Sequence, residues 1–267
     1  MATEASPSVP ALVALSVPIR RRDKLFITGA LLFFSALAWG DIIRRAGSMG
    51  VTTSDTMAMP PPPLLLQGAL FLGMWTTMMV AMMFPSAAPM IYTFSAVYRS
   101  RREQGLAYVP IWIFLTGYLL VWAAVAIPGF AASRGLAAAA QAFPWLGAYG
   151  PLAMGAIISL AGLYQLSPLK YTCLSHCRTP LGFILHHWRD GYKGALHMGI
   201  SHGGYCVGCC WLLFATMLAV GIMNLAWMGA VALLIFVEKL LPQGVLVGRL
   251  TGALLVVGGL VIAIAGL

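Results

Sequence analysis

Every cysteine and every histidine of the chain lies within one short stretch, residues 173–210. Thiolate and imidazole are ligands of Cu(I) and Zn(II), whereas Mg(II), Ca(II) and Mn(II) are bound mainly by oxygen. Buried structural cysteines would instead be spread through the chain. The clustering therefore predicts a soft-metal or thiol site. Its candidate ligands are Cys173, His176, Cys177, His202, Cys206, Cys209 and Cys210.

The first group of candidate ligands is Cys173, His176 and Cys177, which places two thiols four residues apart with an imidazole between them. Prolines at positions 168 and 180 bracket the group. Because proline restricts the backbone on both sides, we expect a short, constrained segment here.

The second group is His202, Cys206, Cys209 and Cys210. At about 100° per residue, the first three share one face of a helix and Cys210 lies beside them. The intervening Gly203-Gly204 pair costs about 1 kcal/mol per residue inside a helix, so we expect the backbone to open there. Such a break would still leave Cys206 to Cys210 on one helical turn.

Methionines add thioether ligands from a distant part of the sequence. Met78 and Met82 lie four residues apart on one face of a predicted helix. Methionines at this spacing usually fill gaps in a core, but thioether groups also bind Cu(I). The predicted topology places them at the same membrane depth as Cys206, and we therefore include Met78 and Met82 as weaker ligands.

Copper fits this donor set better than zinc does. A tetrahedral zinc site formed by the two Cys/His groups is the alternative, but its Cys-x3-Cys pair is atypical and leaves the methionines unused. We therefore predict a Cu(I) site with zinc as the second choice.

A redox function is the competing hypothesis. Cys206 and Cys209 form a Cys-x-x-Cys pair, and Cys173 with Cys177 would act as a shuttle pair, as in a membrane thiol-disulfide oxidoreductase. This hypothesis leaves Cys210 and the histidines without a purpose. No other catalytic motif is present, so the sequence does not decide whether the protein is an enzyme.

The composition shows which elements must hold these residues. Of 267 residues, 60% are hydrophobic and only 9% are charged, against about 25% charged residues in a soluble domain. A helix needs about 20 apolar residues to cross a bilayer. Seven stretches meet or nearly meet this requirement: 25–43, 64–84, 107–127, 148–166, 205–223, 225–241 and 244–266. We therefore predict an all-α, polytopic transmembrane helix bundle.

The basic residues predict its orientation. Thirteen of the 16 lysines and arginines fall in alternate segments between the spans, which places the N-terminus inside and the C-terminus outside. The predicted organisation is a basic cytoplasmic segment, residues 1–24, followed by one transmembrane domain, residues 25–267. Within that domain, residues 167–204 form the cytoplasmic Cys/His segment. Residues 20–38 also have the pattern of a cleaved signal peptide.

Other segments have simpler interpretations. We interpret Glu238-Lys239 as a paired anchor at the membrane interface, although an intramembrane carboxylate is also a functional candidate. We expect residues 134–147 to form a separate interfacial helix, and His186-His187 to lie on the surface without binding metal. Gly248 and Gly252, four residues apart, predict close helix packing.

Several of these blocks together resemble a bacterial family of predicted metal-binding integral membrane proteins. The likeness covers roughly residues 64–241 and rests on 78–90, 164–170, 173–177, 188–191, 202–211, 223–225 and 238–239. It implies metal binding in a bacterial cytoplasmic (inner) membrane and no particular reaction. We therefore expect a copper chaperone, sensor or assembly factor whose partners are the lipid bilayer and a metal-delivery or membrane-complex protein, not nucleic acid.

Overall fold

A computed structural model describes residues 20–51, 62–105, 108–221 and 224–266. Within these ranges the chain is almost entirely helical and contains no β-strand. The helices are α1 (Arg21–Val51), α2 (Leu64–Glu103), α3 (Ile111–Ala142), a 3-10 helix (Pro144–Tyr149), α4 (Gly150–Leu166), α5 (Pro168–Arg178), α6 (Pro180–His187), α7 (Gly191–Val220), α8 (Leu225–Leu240) and α9 (Gly244–Ala265). The predicted all-α class is confirmed.

Among the residues that the structure describes, six helices are long and apolar enough to cross a membrane: α1, α2, α3, α7, α9, and α4 together with the end of the 3-10 helix. Helix α8 has 16 residues and, at 1.5 Å per residue, is about 24 Å long. Helix α8 coincides with the predicted sixth span but is shorter than each of the six helices named above. The membrane-spanning character is thus supported by six helices, whereas the total of seven and the orientation stay predictions.

Two expected interruptions are absent from the described helices. Helix α3 continues through Pro128 to Ala142, so the prediction of a separate interfacial helix beginning at residue 134 was wrong; the alanine run at 137–140 has high helix propensity and extends the span. Helix α7 runs unbroken through Gly203-Gly204, so the expected opening at that pair was wrong too.

Close packing of α3 against α7 explains Gly199 and Gly203 of α7. A Cβ atom at Gly203 would lie 2.9 Å from Cβ of Val121, and one at Gly199 would lie 3.1 Å from the Tyr118 nitrogen. The contact between the two backbones therefore offsets the low helix propensity of glycine at these positions.

Close helix packing at glycine residues also joins α4 and α9. A Cβ atom at Gly162 would lie 2.7 Å from the backbone nitrogen of Val256, and Gly248 and Gly252 are buried in the interior. The close packing predicted for the last span is confirmed.

Some sequence predictions fall on residues that lie outside the described ranges. These are the first 19 residues of the predicted cytoplasmic segment and residues 222–223 at the end of the predicted fifth span. Directly after them, the Asn224 side chain accepts a hydrogen bond from the Trp227 nitrogen at 3.0 Å and caps the start of α8.

Candidate metal centre

Helix α5 brings the first Cys group to the second. Ser167 caps it by accepting a hydrogen bond from the Lys170 nitrogen, and Pro168 occupies its first turn, where the missing N–H has no cost. The helix packs along α7. Its buried face carries Lys170, Leu174 and Cys177, so Cys177 faces the bundle.

Four thiols meet at this α5/α7 contact. Hydrogen bonding with Cys206 and Cys209, followed by burial, raises the pKa of the Cys177 thiol. The Cys209 and Cys210 thiols both donate to the carbonyl oxygen of Cys206, at 3.1 and 2.8 Å. All four cysteines are buried, and all are free thiols. The structure thus brings together residues that are about 30 positions apart.

Cys206 also has two polar neighbours from other helices. The Lys239 ammonium donates a hydrogen bond to Cys206 Sγ at 2.9 Å, and the Tyr118 hydroxyl lies 3.1 Å from the same sulfur. Lys239 is buried, so the interpretation of Glu238-Lys239 as an interfacial anchor was wrong. A buried ammonium beside a thiol favours the thiolate form, because the opposite charges attract strongly away from water.

Glu238 takes a different partner. It forms an ion pair with Lys170 at 2.6 Å, and neither side chain is more than 2% exposed. The Gln165 side chain donates to Glu238 and accepts from Lys170. Because Lys170 compensates Glu238, the positive charge of Lys239 is left to the thiol cluster.

His202 lies one helical turn before Cys206 and is 2% exposed. It packs among the rings of Phe114, Tyr118 and Phe183, with centroid distances of 5.9, 5.7 and 5.4 Å. Within the described part of the chain, its buried Nδ1 atom has no hydrogen-bond partner. A buried polar atom without a partner is costly, so this nitrogen is a candidate ligand in the interior.

Two predicted ligands of the first group lie beside the cluster. Cys173 is half-buried against Gly208, where an added Cβ atom would lie 2.8 Å from its sulfur; burial raises the pKa of this thiol. His176 stacks on Tyr205 with ring centroids 4.1 Å apart. It therefore lies next to the thiols but contacts an aromatic ring.

Met78 and Met82 belong to the same buried core as Cys206. Their helix, α2, packs mainly on α1, α3 and α8, and its described link to α7 is the ring contact of Trp75 with Phe214. Metal binding by the two thioethers stays a prediction.

Within the described ranges, no group of three or more His, Cys, Asp or Glu side chains is arranged to hold a metal ion. This agrees with the hydrogen bonds of the cluster, because the Cys209 and Cys210 sulfurs are directed to a backbone carbonyl. The thiols are gathered in one place but do not converge on one point. A change of side-chain rotamer would be needed before they share an ion.

Sequence reasoning did not predict that Tyr118 lies beside the thiols. It also did not predict that Glu238 pairs with Lys170 instead of the adjacent Lys239. The one available indication was the Glu238-Lys239 pair, since ionisable residues inside a membrane span are expensive and usually functional. Residue spacing does not show which of two adjacent charges faces which neighbour.

A family model described as PpoB2, copper chaperone, matches residues 72–262. The matched region contains every candidate ligand from Met78 to Cys210 and both Lys170 and Glu238. No match was found among the curated proteins or among the solved structures.

Proposed function

Because the chain belongs to the PpoB2 copper chaperone family, we propose that it binds Cu(I) between α5 and α7 and hands the ion to a partner protein. Cys177, Cys206 and Cys209 form the centre of the proposed site. His202 and Cys210 complete it, Cys173 and His176 lie on its outer side, and Met78 and Met82 are weaker ligands.

The supporting observation is the meeting of buried thiols at the α5/α7 contact. Cys209 and Cys210 donate to the Cys206 carbonyl oxygen at 3.1 and 2.8 Å, and Lys239 donates to Cys206 Sγ at 2.9 Å, while Cys177 of α5 is buried in the same core. These thiols come from two helices and lie in the buried core, where thiolate ligands of Cu(I) are protected from water and oxidants. To bind the ion, Cys209 turns away from the Cys206 carbonyl, and each thiol that becomes a ligand releases its proton.

Charge favours a monovalent ion. Cu(I) held by two thiolates carries one negative charge, which the ammonium of Lys239, 2.9 Å from Cys206 Sγ, neutralises. Zn(II) held by the same two thiolates is neutral, and it reaches that negative charge only when the third central cysteine is also a thiolate. Cu(I) therefore needs the smaller number of deprotonated thiols to match the charge of Lys239.

Metal analysis tests the proposal. Protein purified in detergent without oxygen is titrated with Cu(I) against a chromophoric Cu(I) chelator. We expect stoichiometric copper in the wild type and its loss in C206S/C209S, with C173S retaining it. Gel filtration and helical circular dichroism of each variant control for folding.

The same preparation decides against the redox alternative. A protein that takes up no copper but forms a reversible Cys206–Cys209 disulfide would instead be a thiol-disulfide oxidoreductase. Retention of full copper affinity by C206S/C209S would refute the proposed ligands.

A further inference from the structure

The three histidines of α5 and α6 present their ring nitrogens in the same way. Nδ1 of His176 lies 2.8 Å from the Thr172 carbonyl oxygen, and Nδ1 of His187 lies 3.1 Å from that of Phe183. His186 makes the equivalent contact with Gly182 at 2.8 Å. A carbonyl oxygen only accepts, so Nδ1 carries the proton in each ring. In the neutral imidazole this leaves Nε2 with its lone pair.

This arrangement is typical of metal-binding histidines, which donate their other ring N–H to a carbonyl or carboxylate. It fixes both the tautomer and the direction of the ring. At His176 and His187 the rings are fixed further by stacking, on Tyr205 at 4.1 Å and on Phe183 at 4.4 Å. Their lone pairs are therefore held in defined positions.

His176 and His187 also lie at a suitable separation. Their ring centroids are 6.2 Å apart and the rings are nearly perpendicular, at 79°. With metal–nitrogen bonds of about 2.0 Å, one ion between two Nε2 atoms requires ring centroids about 6 Å apart or slightly less. The Tyr205 hydroxyl lies 3.5 Å from His187 Nε2, which is the outer limit of a hydrogen bond. The lone pair is thus only weakly engaged.

The pair adjoins the thiol cluster on both helices. His176 precedes Cys177 in α5, and Tyr205 precedes Cys206 in α7. The ring stack and the thiol contact are therefore neighbouring layers of the same α5/α7 contact. The outer layer is half-buried, whereas the thiols are buried. The imidazoles are therefore more exposed than the thiols.

We propose that His176 and His187 form a second metal site, at which two imidazole nitrogens receive Cu(I) before it moves to the thiols. This inference rests on the proposed function for the destination of the ion. The transfer exchanges neutral nitrogen ligands for thiolates, the copper stays monovalent, and the proton of each incoming thiol leaves to water. Since thiolates bind Cu(I) more tightly than imidazole does, the transfer is favourable.

Loading kinetics test the site in a folded protein. Metal-free protein is mixed with the Cu(I)–bicinchoninate complex, and the loss of the complex's absorbance is followed by stopped flow. In H176A/H187A we expect loading to slow by about tenfold or more, within the range over which association rates vary among variants. The final copper occupancy should stay stoichiometric, because the three central thiols are intact.

His186→Ala is the matched control. This residue neighbours His187 and makes the same contact to a carbonyl, yet no described ring contact joins it to His176. Loading at the wild-type rate is expected. Equal rates in H176A/H187A and H186A would overturn the inference.

A second variant separates this inference from the proposed function. In a variant with all five cysteines replaced by serine, X-ray absorption after addition of Cu(I) should show nitrogen ligands, and this signal should decrease when the H176A/H187A substitutions are introduced as well. Absence of that signal refutes the imidazole site. If the wild type binds no copper through sulfur but the nitrogen signal persists, the thiol site fails and the imidazole site stands.

Discussion

Lys239 donates a hydrogen bond to Cys206 at 2.9 Å, and both residues are buried. The adjacent Glu238 is engaged by Lys170. Two consecutive residues of α8 therefore contact two different helices: Glu238 forms an ion pair with Lys170 of α5, and Lys239 donates to Cys206 of α7. The first prediction follows from this division.

Replacing Lys239 by Met should weaken Cu(I) binding. Truncating one member of a buried charge pair costs about 2–5 kcal/mol, and each 1.4 kcal/mol is tenfold in affinity, so we expect a loss of about 30-fold or more. Lys239→Arg, which keeps the charge, should recover part of it. The measurement is competition with a Cu(I) chelator, and Lys193→Met, an exposed position on α7, is the control. Unchanged affinity in K239M would show that the ammonium does not compensate the bound complex.

The Lys170–Glu238 pair should contribute to folding rather than to metal binding. Glu238→Gln leaves the Lys170 ammonium, which is 0% exposed, without a counter-charge, and breaking a buried pair costs about 3–5 kcal/mol. Denaturant unfolding in detergent measures the loss. Glu103→Gln removes a carboxylate that is 53% exposed, and its effect should stay below about 1 kcal/mol. Equal effects of the two substitutions would contradict the assignment.

The α4/α9 contact should tolerate no side chain at Gly162. Gly162→Ala places a Cβ atom 2.6 Å from the Gly252 carbonyl oxygen, and overpacking of this kind costs about 1–3 kcal/mol. Gly258 on α9 has no atom within 4 Å of the equivalent point, so Gly258→Ala should be neutral or slightly stabilising. Thermal unfolding of the two variants compares them directly. A more stable G162A protein would disprove the close contact.

The methionine ligands are tested by a change that conserves volume. Leucine replaces methionine in a core at little cost but removes the thioether. M78L/M82L should therefore keep its unfolding temperature and lose less than about tenfold in Cu(I) affinity. Met228, which is also fully buried, provides the control M228L. If M78L/M82L and M228L bind Cu(I) with the same affinity, Met78 and Met82 contribute only to packing.

Local patterns predicted the helices well because hydropathy and length decide which segments cross a membrane. The helix ends were less predictable. Helix α3 was expected to stop before residue 134, but nothing in the alanine run at 137–140 breaks a helix. The Gly203-Gly204 pair was expected to break α7, and only the tertiary contact with Val121 explains why it does not.

The thiol cluster was predicted as a group, since the sequence itself concentrates the cysteines. Its internal arrangement was not. His176 follows Cys173 by three residues and precedes Cys177, yet a helical residue points about 100° away from its neighbour. This rotation about the helix axis places His176 against Tyr205 and Cys177 against Cys206. Which side of α5 faces α7 depends on the buried Lys170, whose partner Glu238 is 68 residues away.

The backbone contact of α3 with α7 closes one side of the thiol cluster to a metal ion. A Cβ atom at Gly117 would lie 3.0 Å from the Ile200 nitrogen, so at this point the backbones of the two helices are in contact without side chains between them. On the opposite side, α5 and α6 are short, 11 and 8 residues. If the chain binds copper as proposed, we expect the ion to enter and leave on the side of the two short helices, and a partner protein to bind there.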